Sequence, residues 1–178
     1  MTVTLIGMMG SGKSTVGKLI AEKMNYRFFD TDSLIVEKTG REINDIFRSD
    51  GEKYFRDLEK EIITELYSGN NSKNQVIATG GGVILSKKNR NILRNNSKVY
   101  WLNVKTEILA DRLYENNDRP LIKKYKNKRT ELINHLNNML RNRFEYYQIG
   151  IEIDGNMEPL KIAREIINDF RNEVDKIE

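Results

Sequence analysis

The chain is predicted to fold as one α/β domain, a three-layer α/β/α sandwich around a five-stranded parallel sheet. Three observations predict it. Short β-branched and apolar runs alternate with segments of helical apolar spacing along all 178 residues, the pattern of a parallel sheet covered on both faces. Hydrophobic residues make up 38% of the sequence, enough to bury a core. No internal repeat, low-complexity tract or interdomain linker interrupts the alternation.

Thr2–Ile6 reads as a buried first strand. It runs into Gly7-Met8-Met9-Gly10-Ser11-Gly12-Lys13-Ser14, a G-x-x-x-x-G-K-S phosphate-binding loop. Val16, Leu19, Ile20 and Met24 then recur at helical spacing, so a helix begins near Lys13 or Ser14. With both flanks correct, the fold is of the P-loop NTPase type. The glycines let backbone N–H groups converge on a phosphate beside a positive helix end. Gly10, Ser11, Gly12, Lys13, Ser14 and Thr15 are therefore the candidate nucleotide cradle. Lys13 has the reach for the β- and γ-phosphates of ATP, and the Ser14 hydroxyl suits Mg²⁺.

Residues 26–29 read as a second strand, ending at Asp30-Thr31-Asp32. A short helix from Ser33 closes at Thr39-Gly40, and Ile43, Ile46 and Phe47 mark another. Phe55, Leu58, Ile62 and Leu66 line one face of a longer helix, followed by a polar turn over residues 68–74. Gln75–Ala78 is the third strand, entering Thr79-Gly80-Gly81-Gly82, and Ser86 is an expected N-cap. Residues 99–104 form the fourth strand, and Thr106 is expected to cap the helix carrying Leu109 and Leu113. Residues 115–128 lack an apolar period and read as a loop. Leu132, Leu136, Met139, Leu140 and Phe144 mark the next helix, residues 151–153 the last strand, and Pro159 opens the final helix.

Ligands of such a sheet sit at the carboxyl ends of its strands. The phosphate loop, Asp30-Thr31-Asp32 and Gly80-Gly81-Gly82 all follow strands directly, so they are expected to share one rim. Asp30 suits the water shell of Mg²⁺, and Asp32 suits an acceptor hydroxyl; capping of the following helix is the competing use. Arg56 either presents a planar fork to a substrate carboxylate or pairs with Glu59, a surface contact worth about 0.2–0.5 kcal/mol. The triple glycine is either a turn or bare backbone for a substrate to lie against.

The absence of cysteine excludes disulfides, thiolate catalysis and Cys-ligated zinc, and fits a reducing cytoplasm. No signal peptide is visible, and no apolar run approaches the roughly 20 residues of a membrane helix. The net charge of +4 owes much to Arg119, Lys123, Lys124, Lys126, Lys128 and Arg129. Such a run suits a triphosphate and an anionic substrate, so no nucleic-acid partner is inferred from it. His135, the only histidine, sits between Leu132 and Leu136 with nothing nearby to complete a metal site, and is expected to be structural. Tyr146 and Tyr147 are expected to pack.

These residues together resemble the shikimate kinase family. The resemblance rests on residues 7–15, Phe29-Asp30-Thr31-Asp32, Asp45-Ile46-Phe47, Gly51-Glu52, Phe55-Arg56 with Glu59, Gly80-Gly81-Gly82, Arg119-Pro120-Leu121 and Arg143. It implies transfer of the ATP γ-phosphate to the 3-hydroxyl of shikimate, on the route to chorismate and the aromatic amino acids. It further implies Asp32 on the ring hydroxyls, Arg56 and Arg143 on the carboxylate, Gly80, Gly81 and Gly82 beside the ring, and Arg112 stacked on adenine. Residues 33–67 would form a substrate-binding helical segment, and residues 114–128 a mobile lid bringing Arg119 onto the phosphates. A monomer with no membrane partner is implied as well. The chain departs from the family at Glu145, where a proline is usual, although Tyr147 keeps its place.

Overall fold

The structure is a computed structural model that describes residues 1–68, 73–115, 125 and 128–174. Five parallel strands form one sheet: β1 (Thr2–Ile6), β2 (Arg27–Asp30), β3 (Gln75–Ala78), β4 (Lys98–Asn103) and β5 (Ile151–Asp154), in the order β2-β3-β1-β4-β5. The helices are α1 (Lys13–Met24), α2 (Thr31–Thr39), α3 (Ile43–Ser49), α4 (Gly51–Tyr67), α5 (Lys87–Asn96), α6 (Thr106–Glu115), α7 (Arg129–Tyr147) and α8 (Pro159–Val174). A 3₁₀ turn, Val83–Leu85, precedes α5. The strand order reverses beside β1, and that reversal opens a crevice at the strands' carboxyl ends.

The three layers follow from the two-residue period of the strands. Val3 and Leu5 of β1, Val76 of β3, and Tyr100 and Leu102 of β4 pack with α1 and α8 residues such as Ile20, Ala163 and Phe170. Ile6, Ile77, Val99 and Trp101 face the other way, onto Ile63, Leu93, Leu109, Leu132 and Leu136 of α4, α5, α6 and α7. A satellite cluster of Ile35, Ile46, Phe55, Leu58 and Ile62 joins α2, α3 and α4. Trp101 is buried and stacks on Tyr147, ring centroids 5.1 Å apart and 3° from parallel. His135 is half-buried against Tyr125, with ring centroids 5.4 Å apart.

Several boundaries differ from the sequence expectation. The second strand starts at Arg27 and takes in Asp30, and α2 starts at Thr31 instead of Ser33. The cause is local: Asp30 is the N-cap, its Oδ1 accepting from the N–H groups of Asp32 and Ser33 at 3.0 and 3.3 Å. Thr106 is the first residue of α6, and its hydroxyl donates to Asn137 of α7 at 3.0 Å instead of capping its own helix. Ser86 does cap α5, accepting from the Asn89 N–H. Of the expected lid, residues 114, 115, 125 and 128 are described; Arg119 lies outside the described residues.

Candidate active site

The phosphate loop turns inward because Gly10 and Gly12 take backbone angles with φ of 77° and 89°, which side-chain-bearing residues rarely adopt. Gly12 then caps α1 with no side-chain acceptor, and no acidic residue follows in the first helical turn. The helix start thus leaves its N–H donors and dipole without a capping side chain, as an anion site requires. Lys13 is buried, and its Nζ donates to the carbonyls of Gly7 and Met8 at 3.0 and 2.8 Å. That places a cation at the floor of the loop.

A cavity of 640 Å³ opens over this loop. Gly10, Ser11, Gly12, Lys13, Ser14 and Thr15 line it, as do Asp30, Asp32, Gly81 and Arg112. Ten expected residues from four separate segments therefore meet on one rim. Ser14 Oγ donates to Asp30 Oδ2, so one Asp30 oxygen caps α2 while the other holds the loop hydroxyl. A hydroxyl beside a carboxylate is the hard-oxygen donor set that suits Mg²⁺ shared with phosphates. Among the described residues, no group of three His, Asp or Glu side chains is placed to hold a metal by itself.

The far wall of the cavity comes from Gly155, Asn156, Met157, Glu158 and Pro159, between β5 and α8. Arg112 spans from there to the phosphate loop, donating to the carbonyls of Gly155 and Gly10, both at 3.4 Å. Its guanidinium thus lies in the cavity wall against the start of the β5–α8 segment, a planar cation on which a flat group can stack.

Gly80, Gly81 and Gly82 take a role that the sequence alone does not disclose. A Cβ on Gly80 would overlap the Asp32 carboxylate, and one on Gly82 would overlap the Arg56 guanidinium. The missing side chains make room for these two functional groups, while Gly81 lines the cavity. Arg143 donates to the Gly81 carbonyl at 3.1 Å. Arg56, Arg143 and Asp32 therefore surround one short glycine segment, although only Asp32 of the three lines the cavity itself.

Glu59 is the site member that sequence reasoning underrated. It is 1% exposed, and its Oε2 accepts from Arg56 at 2.7 Å. Its Oε1 is buried without a hydrogen-bond partner, and a Cβ on Gly80 would lie 3.1 Å from it. Burial pushes the Glu59 carboxyl up to about 6, with the Asp32 charge adding to the rise and Arg56 and Arg143 opposing it. The expected Arg56–Glu59 pair is present, but its carboxylate is in the interior, where pairing weighs more than on a surface. The sequence signal was available: Glu59 falls on the apolar stripe between Phe55 and Ile62–Ile63. Glu52 takes the outer side of Arg56 at 2.9 Å. Glu145 is exposed, and α7 continues through it without a break.

Comparison with known proteins gives the family. The shikimate kinase family model matches residues 9–171. A shikimate kinase of Rippkaea orientalis is 41% identical over 165 residues, covering 93% of this chain and 85% of its own length. One from a Sulfurihydrogenibium species is 40% identical, covering 95% and 97%. Among solved structures, a shikimate kinase from Acinetobacter baumannii in complex with shikimate superposes with a TM-score of 0.85 at 32% identity, covering 97% of this chain and 93% of that one. With the family model matched over residues 9–171 and relatives about 40% identical along most of its length, this chain belongs to the shikimate kinase family.

Proposed function

We propose that the chain transfers the γ-phosphoryl group of ATP to the 3-hydroxyl of shikimate, with Mg²⁺, as a monomer in the cytoplasm. The observation that carries this reading is the meeting of Asp32 and Gly81 with the phosphate loop in one cavity, with Arg56 and Arg143 gathered at the same glycine segment. A donor phosphate and an anionic polyol then face each other across a few ångströms, which is most of what phosphoryl transfer requires.

The α1 N-terminus and Lys13 hold the β- and γ-phosphates. Ser14, with Asp30 acting through water, would hold Mg²⁺, which would supply neutralisation of phosphate charge. Adenine lies against Arg112. Arg56 and Arg143 take the acceptor carboxylate, Gly80, Gly81 and Gly82 flank its ring, and residues 33–67 supply that half of the pocket. Asp32 accepts a hydrogen bond from the 3-hydroxyl and aims its oxygen at the γ-phosphorus. As the bond from the 3-hydroxyl oxygen to the γ-phosphorus forms, the bond from that phosphorus to the β–γ bridging oxygen breaks, leaving ADP, and the hydroxyl proton passes to Asp32. Arg119 completes charge neutralisation at the transferring group.

A coupled ADP-release assay with shikimate, gluconate and nucleoside monophosphates tests the reading. Turnover stimulated by shikimate alone is expected. Stimulation by gluconate or a nucleotide in its place would assign the site to another small-molecule kinase on the same scaffold.

A further inference from the structure

The 3₁₀ turn Val83–Leu85 directly follows the glycine segment, and its carbonyls cannot all be satisfied within so short a helix. The first turns of α5 collect them. Asn89 donates to the Val83 carbonyl at 3.2 Å, and the Arg90 guanidinium donates to those of Ile84 and Leu85 at 2.7 and 3.1 Å. Arg90 also does something that capping does not need. Its guanidinium carbon lies 4.3 Å from the centroid of the Tyr146 ring on α7, a close cation–π contact.

Tyr146 is three residues from Arg143, so the two side chains share one side of α7. Arg143 grips the glycine segment at the Gly81 carbonyl, just upstream of the turn. Residues 81–85 are therefore tied to α7 at both ends, by Arg143 at the start and by Arg90 stacked on Tyr146 at the finish. A slide or rotation of α7 that parts Tyr146 from Arg90 also draws Arg143 away from Gly81. We propose that Arg90, which lines no part of the cavity, is a positioning residue that fixes the register of α7 against the glycine segment and so sets where the Arg143 guanidinium meets the acceptor. This rests on the assignment of Arg143 to the shikimate carboxylate.

The guanidinium fork and the aromatic face are both required, which makes the inference specific. Steady-state kinetics on Arg90→Ala are expected to show the KM for shikimate raised about 5- to 20-fold and the KM for ATP within about 2-fold of wild type. Tyr146→Ala should reproduce that split, and Tyr146→Phe, which keeps the ring, should restore the wild-type shikimate KM. Should Arg90→Ala fail to fold, Arg90→Lys decides the matter, because it keeps the charge but loses the fork, and a raised shikimate KM is again expected. A shikimate KM unchanged in the Arg90 and Tyr146→Ala variants, or both KM values rising together, overturns the proposal. Arg143→Lys separates the two layers of the argument. If it raises the shikimate KM while the Arg90 and Tyr146→Ala variants do not, only the positioning role fails. If Arg143→Lys itself leaves that KM unchanged, the carboxylate assignment falls and the positioning role with it.

Discussion

Asp30, Asp32 and Glu59 show how a carboxylate takes three roles from three environments. Asp30 is held locally, capping α2 with one oxygen and accepting from Ser14 with the other. Asp32 stands in the first turn of α2, beside Gly80 and facing the cavity. Replacing it by Asn keeps the shape and removes the carboxylate proposed to accept the hydroxyl proton. Asp32→Asn is therefore expected to lower kcat by about 100-fold or more while the ATP KM stays within about 2-fold; near-wild-type turnover would reduce Asp32 to a structural residue. Glu59 makes a prediction of a different sort. Its carboxyl titrates at about 6 in the fold against an ordinary value of 4.5, so the folded state holds the proton more tightly than the unfolded chain. Its contribution to stability is full below pH 4.5, falls as pH rises from 4.5 to about 6, and stays low above that. Relative to Glu59→Gln, which does not titrate, the wild type should lose about 2 kcal/mol over that window. Denaturant unfolding of both proteins across pH 4.5–6.5 reads it directly, and parallel profiles would show that Glu59 is not the buried titrating group.

At the scale of elements, the glycine segment between β3 and α5 is where two halves of the site are fitted together. Gly82 has an ordinary backbone, with φ of −103°, so its glycine is not demanded by the turn. It is demanded by Arg56, whose guanidinium occupies the place of a Cβ. Gly82→Ala is accordingly expected to displace Arg56 and raise the shikimate KM about 10-fold, leaving the ATP KM nearly unchanged. Arg56→Ala alone should raise it about 10- to 100-fold, the loss of a charged hydrogen bond. Because both changes act through one side chain, adding Gly82→Ala to Arg56→Ala should cost almost nothing more. Strictly additive effects in that double-mutant cycle would mean that Gly82 serves the site by some other route. The same logic explains why the triple glycine was legible as unusual but not as to purpose. Three bare residues after a strand mark a close approach, and only the packed structure says what approaches.

For the molecule as a whole, the cavity over the phosphate loop is assembled from segments far apart in sequence: the loop after β1, Arg112 on α6, and the residues between β5 and α8. A ligand bridging them ties both ends of the chain to the central strands, so it should stabilise the entire domain. At about 100 times Kd, ATP with Mg²⁺ is expected to raise Tm by about 5–10 °C. Lys13→Met should remove most of that shift, since it takes the cation from the floor of the loop; a full shift in that variant would place the triphosphate elsewhere. Among the described residues, no helix is long and apolar enough to cross a membrane.

Much of this was determined by the sequence alone. The alternation of strand and helix periods specified the parallel sheet, because burial on both faces requires apolar strands between amphipathic helices. The phosphate loop was readable because its chemistry depends on backbone torsions that only glycine supplies at those positions, and torsions are local. Local signals likewise marked Ser86 as a cap and Pro159 as a helix start. Tertiary structure decided what depends on distance: that Asp30 rather than Asp32 caps α2, that Thr106 turns to Asn137, that Glu59 is buried behind Arg56, and that Arg90 links the 3₁₀ turn after the glycine segment to Tyr146 of α7. A hydrogen bond or a buried charge is set by which partner lies within about 3 Å. Residues as remote in sequence as Arg90 and Tyr146 become partners only once the helices pack.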